Sequence, residues 1–192
     1  VKLTYRQVEG LLAELHGIRE EGRLALQARV RHFQRYGWPG GTNTGRGRAA
    51  TYDFGAVLGL CLGFELLQIG LTPERAVDVL RENWGYVRQA TALAMRTDGI
   101  FIYCDPAALE NLGKTILGEE NSASDTFFFA GAGILREKLE QPQHIRRLAI
   151  INLSLILQLM KAHLETNGLP EGAFNKARRQ WDISILAEEH GD

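Results

Sequence analysis

The sequence predicts a mainly α fold with an α+β C-terminal part, and three observations predict it. Apolar residues recur at helical spacing through most of the first 85 residues, between recognisable caps. A glycine-rich basic stretch, Gly40 to Arg48, interrupts that helical run. Beyond residue 99 the pattern changes to short β-branched and aromatic runs set between turn residues. At 192 residues, 45% of them hydrophobic, the chain suffices for one large or two small domains with real cores.

Thr4-Tyr5-Arg6-Gln7 fits a capping box, with Thr4 as N-cap and Gln7 reaching back. Val8, Leu11, Leu12 and Leu15 then share one helical face, and the first helix ends near His16-Gly17. Gly17 and Gly22 bracket a charged turn. A second helix is predicted from about Arg23 to Tyr36. Leu26, Val30 and Phe33 form its core stripe, while Gln27, Arg31 and Arg35 lie on a different face that Leu24 interrupts. Gly37 and Pro39 stop it. Gly40 to Arg48 suits an exposed hairpin tip with Ala49 to Tyr52 as return strand. It is a poor P-loop, because no apolar strand precedes it and no Gly-Lys-Ser/Thr closes it.

Asp53 can cap a third helix reaching about Gln68, largely buried, with Gly55, Gly59 and Gly63 making one side smooth. That side suits close approach of another helix, from this chain or from a second subunit. Thr72 and Pro73 start a fourth helix, with Ala76, Val77 and Leu80 as its stripe. Tyr86–Met95 reads as a short linking helix. Ile100–Tyr103 and Thr126–Ala130 read as strands, Ala107–Leu117 and Ile134–Glu140 as helices, and Leu148–Asn152 as a third strand feeding a helix to His163. Glu119–Asp125 is a polar loop, and the tail from Pro170, with Trp181 and Ile183, either folds back or docks on a partner. Four helices with a Gly-rich basic hairpin between the second and third make a winged helix-turn-helix. The expected organisation is therefore a winged helix-turn-helix over 1–85, a linking helix over 86–98, and a mixed α/β domain over 99–192 for dimerisation or effector binding.

Charge is the strongest functional signal. Between Glu21 and Asp53 lie Arg23, Arg29, Arg31, Arg35, Arg46 and Arg48 and no acidic residue, in a chain of net charge −1. Arginine's planar fork donates two parallel hydrogen bonds to phosphate, so such a block is the footprint of a polyanion site; its alternative is a solvated basic surface. Cys61 and Cys104 sit in apolar stretches without metal-ligand spacing, and the five histidines are scattered. No metal and no cofactor are expected. The longest apolar run, Phe54–Phe64, is far short of the roughly 20 residues of a membrane span, and Val1–Leu15 is amphipathic rather than a signal peptide. A cytoplasmic, nucleoid-associated protein without membrane contact is expected.

Arg31-His32-Phe33-Gln34-Arg35-Tyr36-Gly37-Trp38-Pro39 resembles the Arg-aromatic-Tyr-Glu-Arg-x-Gly-Leu stretch on the second helix of MerR-family winged-helix transcriptional regulators. A basic wing ending in Tyr52 follows. Gln68-Ile69-Gly70-Leu71-Thr72-Pro73-Glu74-Arg75-Ala76 is similar to the family's Leu-Gly-Phe-Ser-Leu-Glu-Glu-Ile. The resemblance covers about residues 3–84. The chain departs from the pattern in a longer Tyr5-to-Arg31 segment, in His32 and Gln34, in the Arg48-to-Tyr52 spacing, and in lacking the long dimerisation helix that follows in the family. An excisionase-like relative of the same winged fold fits as well. The resemblance implies a transcriptional regulator binding double-stranded DNA.

The residues point the same way. On the second helix, Gln27 and Arg31 suit base edges in the major groove, with Arg35 either beside them or bracing Asp53 or Glu65. Arg46 and Arg48, with Asn43 in the same tip, suit phosphate or a narrow minor groove. Tyr5 and Arg6 suit backbone phosphate at the start of the first helix. Phe33 and Trp38 read as core. A homodimer is expected, because one winged helix covers only a half-site; Leu153–Leu164 and the glycine face of the third helix are candidate contacts. A small-molecule effector is compatible with the aromatic C-terminal segments. The alternative function is an architectural or phage-type DNA-binding protein without effector sensing. An enzyme is the weakest reading: no titratable constellation has catalytic spacing, and Gly131-Ala132-Gly133 fits a strand-to-helix turn better than a dinucleotide loop.

Overall fold

In the computed structural model, which describes residues 2–42, 50–104, 127–141, 147–177 and 179–181, the protein is mainly helical with small antiparallel sheets. Local chemistry decides where its helices begin. Helix α1 (Tyr5–Leu15) opens on the expected capping box: Gln7 N donates to Thr4 Oγ1 at 3.4 Å, and Thr4 N donates to Gln7 Oε1 at 2.9 Å. Helix α3 (Phe54–Gln68) is capped by Asp53, whose Oδ1 accepts from Ala56 N at 2.8 Å. Helix α4 (Pro73–Glu82) has Thr72 as N-cap and Pro73 at its first position. Each cap satisfies a first-turn N–H that has no intrahelical acceptor.

Helix ends are equally local. Helix α2 (Arg23–Arg35) closes in a Schellman motif: Trp38 N donates to Phe33 O and Gly37 N to Gln34 O, both at 3.0 Å. Gly37 occupies the left-handed position at φ 71°, where a Cβ would be strained. The same pair of bonds ends α1 through Gly17 and Ile18, and α3 through Gly70 and Leu71.

The chain divides into two compact units, residues 1–63 with 155–192, and residues 64–154. In the first, strand β1 (Leu3–Thr4) pairs antiparallel with β2 (Thr51–Tyr52), placing Leu3 opposite Tyr52. Among the described residues the partner of the predicted return strand is thus the N-terminal strand; residues 43–48 of the predicted hairpin tip and Ala49 lie outside the described residues. Val8, Leu11 and Leu12 of α1 and Leu26, Val30 and Phe33 of α2 are buried, as their spacing predicts, while Leu15 at the end of the α1 stripe is half-buried. The smooth side of α3 is filled by rings of this chain, one of them Phe33 of helix α2. Ideal Cβ atoms on Gly55, Gly59 and Gly63 would meet Trp181, Trp38 and Phe33 at 2.6, 2.9 and 3.0 Å. Aromatic rings take the space that a subunit contact would have needed. Trp181 also packs edge-on against Phe54, 5.4 Å between centroids, so the tail does fold back as far as that residue; Ile183 lies outside the described residues.

Burial pushes the His16 imidazole, at the C-cap of α1, below its ordinary range. The unfolded chain then binds a proton that the folded chain refuses. Stability from this residue is complete above about pH 6.5 and is lost as pH falls through the folded value. Glu65 on α3, raised by burial, contributes the opposite slope. Urea titrations from pH 7 to pH 5 should therefore show a smaller acid-side loss in His16→Gln than in the parent protein.

In the second unit, helix α5 (Trp84–Ala94) follows α4. Strand β3 (Ile100–Cys104) is the centre of a three-stranded antiparallel sheet, flanked by β4 (Phe127–Gly131) and β5 (Ala149–Asn152). Tyr103 lies opposite Phe128 on one side and Ile150 on the other. Helix α6 (Ala132–Glu140) starts directly from β4 with Gly131 as N-cap, so the Gly-Ala-Gly sequence is a strand-to-helix turn. Its Leu135 packs with Tyr103 and Ala130, and Lys138 Nζ lies 5.3 Å above the Tyr103 ring. The Ile100 amide donates to Ser154 Oγ at 3.0 Å, tying β3 to the start of helix α7 (Leu153–Thr166). The predicted helix at Ala107–Leu117, the loop at Glu119–Asp125 and Pro142 lie outside the described residues. Among the described residues, no helix is long and apolar enough to cross a membrane.

Candidate nucleic-acid interface

Helix α2 is anchored on one side and bare on the other. Leu26, Val30 and Phe33 hold it to the core. One flank is bonded to its neighbours: Arg23 Nη1 donates to the Glu9 carbonyl at 3.2 Å, Gln27 Nε2 to Glu9 Oε1 at 3.1 Å, and Gln34 Nε2 to Tyr52 Oη at 2.8 Å. These bonds fix the rotation of the helix about its axis. Leu24, Ala28, Arg31 and Arg35, at i, i+4, i+7 and i+11, then face outward, and all four are exposed. Arg29 and His32 are exposed beside them, with the His32 ring stacked on Tyr36 at 5.3 Å.

Among the described residues no acid forms an ion pair with Arg29, Arg31 or Arg35. Arg29 Nη1 reaches only the Ala25 carbonyl, at 3.4 Å. Asp53, one of the acids that Arg35 was expected to brace, is occupied with its own helix cap. Arginines without an acidic partner among the described residues keep their field toward solvent, and their guanidinium forks stay available to an acceptor.

The structure does not bring all the predicted residues together. Arg31 and Arg35 stand together on the outward face. Tyr5 lies close enough to Arg31 to feel its charge: burial raises the phenol above its ordinary range, the Glu9 carboxylate raises it further, and Arg31 opposes both. Tyr5 Oη has no hydrogen-bond partner among the described residues, so the group is a neutral donor without an acceptor. Gln27 is half-buried and engaged with Glu9, and Arg6 is exposed on the first turn of α1. Asn43, Arg46 and Arg48 lie outside the described residues. Leu24 was visible in the sequence only as an interruption of the polar stripe; its side of α2 proves to be the most solvent-facing, with Leu24 itself 76% exposed.

The chain matches no protein-family model, no curated protein and no solved structure.

Proposed function

We propose that this chain is a sequence-specific, double-stranded-DNA-binding transcriptional regulator that acts as a homodimer. In this reading residues 1–85 work as a MerR-like winged helix-turn-helix, α2 enters the major groove, and Asn43, Arg46 and Arg48 grip the backbone or minor groove. The observation that carries it is the outward face of α2. Two arginines one turn apart, without an acidic partner among the described residues, stand on a helix whose rotation is fixed by Glu9 and Tyr52. Arginine pairs bidentately with guanine O6 and N7, and small apolar groups meet the thymine methyl. Arg31 and Arg35 supply the first chemistry, Leu24 and Ala28 the second. Gln27 reaches a base only by releasing Glu9, so it is the weaker reader of the two residues first assigned to base edges.

Dimerisation is supported by Leu155 and Leu159, which are 47% and 44% exposed one turn apart on α7. An exposed apolar pair of this kind suits a twofold contact, and a homodimer would read two half-sites about 34–36 Å apart or at multiples of that spacing. Selection of bound duplexes from a random pool tests the whole reading. It should return an inverted repeat; a pool that stays unenriched, or an enriched single-stranded ligand, would remove it.

A further inference from the structure

A cavity opens beside the first turn of α1, within the unit formed by residues 1–63 and 155–192. Its volume is about 260 Å³, just below the roughly 300 to 1,000 Å³ of drug-sized pockets, so it suits a smaller molecule. Leu3, Leu164 and Leu169 give it an apolar wall; Arg6, Asn167 and His163 are its polar side chains of note. His163 is the informative residue. It lies on α7 with only 9% of its surface exposed, and its Nδ1 is 2.6 Å from Glu14 Oε2. The Asn167 side chain lies 3.3 Å from the same nitrogen and donates to the His163 carbonyl at 2.8 Å. Nε2 has no partner among the described residues, and it lines the cavity just 3.8 Å from where a Cβ on Gly10 would stand.

Nε2 is thus a polar ring atom open to an occupant of the cavity. Here it faces a space that also holds a guanidinium and the positive end of a helix, where the first-turn N–H groups have no intrahelical acceptor. Glu14 takes the Nδ1 side of the ring, so an occupant of the cavity meets the Nε2 side. The concave leucine wall is of no use to a phosphate standing on a DNA backbone. We infer that this cavity binds a small organic anion, a carboxylate or phosphate monoester with a short apolar body. Its charged head sits between Arg6 and His163 Nε2, and its body lies on Leu3, Leu164 and Leu169. The absence of a side chain at Gly10 leaves room for it.

The test is nuclear magnetic resonance of the ¹⁵N-labelled full chain, titrated separately with 4-methylvalerate, butyrate, inorganic phosphate and a DNA duplex. The His163 ring and Arg6 signals should shift saturably with 4-methylvalerate, and more weakly with butyrate or phosphate. Gly10→Ala should weaken that binding by about tenfold or more, equivalent to about 1.4 kcal/mol. Its methyl covers Nε2 at ordinary contact distance and suits a helix, so its melting temperature should hold or rise. Arg6→Ala should weaken binding to a similar degree without touching the buried ring. No saturable shift with any small anion up to about 50 mM would overturn the inference, as would a Gly10→Ala protein that binds like the parent. Shifts of His163 with duplex alone would assign the cavity to a backbone phosphate and likewise remove it. Failure of DNA binding would leave this result standing, because the small-anion titration makes no use of DNA.

Discussion

Arg31→Ala is expected to weaken binding to the selected duplex by about 1–3 kcal/mol, a factor of roughly 5 to 150 in Kd, while changing affinity for unrelated duplex much less. The reason is positional. Arg31 stands on the outward face of a helix that cannot rotate, because Glu9 and Tyr52 hold its flank through Gln27 and Gln34. A guanidinium presented that way reads an acceptor pair at one base position, and its removal loses that discrimination. The contrasting variant is Arg46→Ala/Arg48→Ala. Arginines of a glycine-rich segment suit phosphate, which is the same for every sequence. The double variant should weaken specific and non-specific binding alike and lower the slope of log K against log salt by about two, one unit for each phosphate contact. Fluorescence anisotropy on both duplexes at several salt concentrations separates the two effects. If Arg31→Ala behaves like the double variant, α2 is a phosphate-binding helix and not a reader. If neither changes binding, the arginine block is a solvated surface.

How much of this was legible in the sequence follows from the range of the interactions. Thr4 and Gln7, Asp53, and Thr72 with Pro73 announce helix starts because a cap and its acceptor lie within three residues. Gly37 announces a helix end for the same reason. The division of α2 into a buried stripe and a charged face was legible because a helix's period maps sequence onto direction. Which part of the charged face points most directly outward was not. That depends on Glu9, 18 residues from Gln27 in the chain. The longer the separation, the less local pattern says. β1 finds β2 across some fifty residues, Trp181 returns to Gly55, and Glu14 meets His163 across 149 positions. No periodicity encodes such a meeting, and the only sequence trace of the last is a helical glycine, Gly10, whose missing side chain leaves room beside a histidine. The three glycines of α3 were legible as a smooth surface, but a smooth surface admits a helix or a ring equally well. The rings that fill it are distant in the chain.

Gly59→Ala turns that last point into an experiment and is expected to destabilise the protein by about 1–3 kcal/mol, although alanine is the better helix former by roughly 0.5–1 kcal/mol. A Cβ at residue 59 would stand 2.9 Å from Trp38 Cζ2 and 3.3 Å from Cε2. The indole is a rigid plate, 7% exposed, and its Nε1 already donates to the Gly59 carbonyl at 3.1 Å, so it has no free end to swing aside. Displacing it strains the backbone that carries it. Trp38 N is the donor that closes α2 on the Phe33 carbonyl, and Phe33 in turn lies against Gly63. The clash therefore passes from α3 into the last turn of the helix that presents Arg35. Urea denaturation of Gly59→Ala, Trp38→Leu and the double variant measures this directly. The cycle should show coupling: with the indole replaced by the smaller leucine side chain, the alanine costs little, or stabilises through its helix propensity. Binding to the selected duplex should weaken in Gly59→Ala and recover in part in the double variant, since Arg31 and Arg35 themselves are untouched. A Gly59→Ala protein as stable as the parent would mean that the Trp38 ring yields freely, and that its contact with α3 does not set the position of α2.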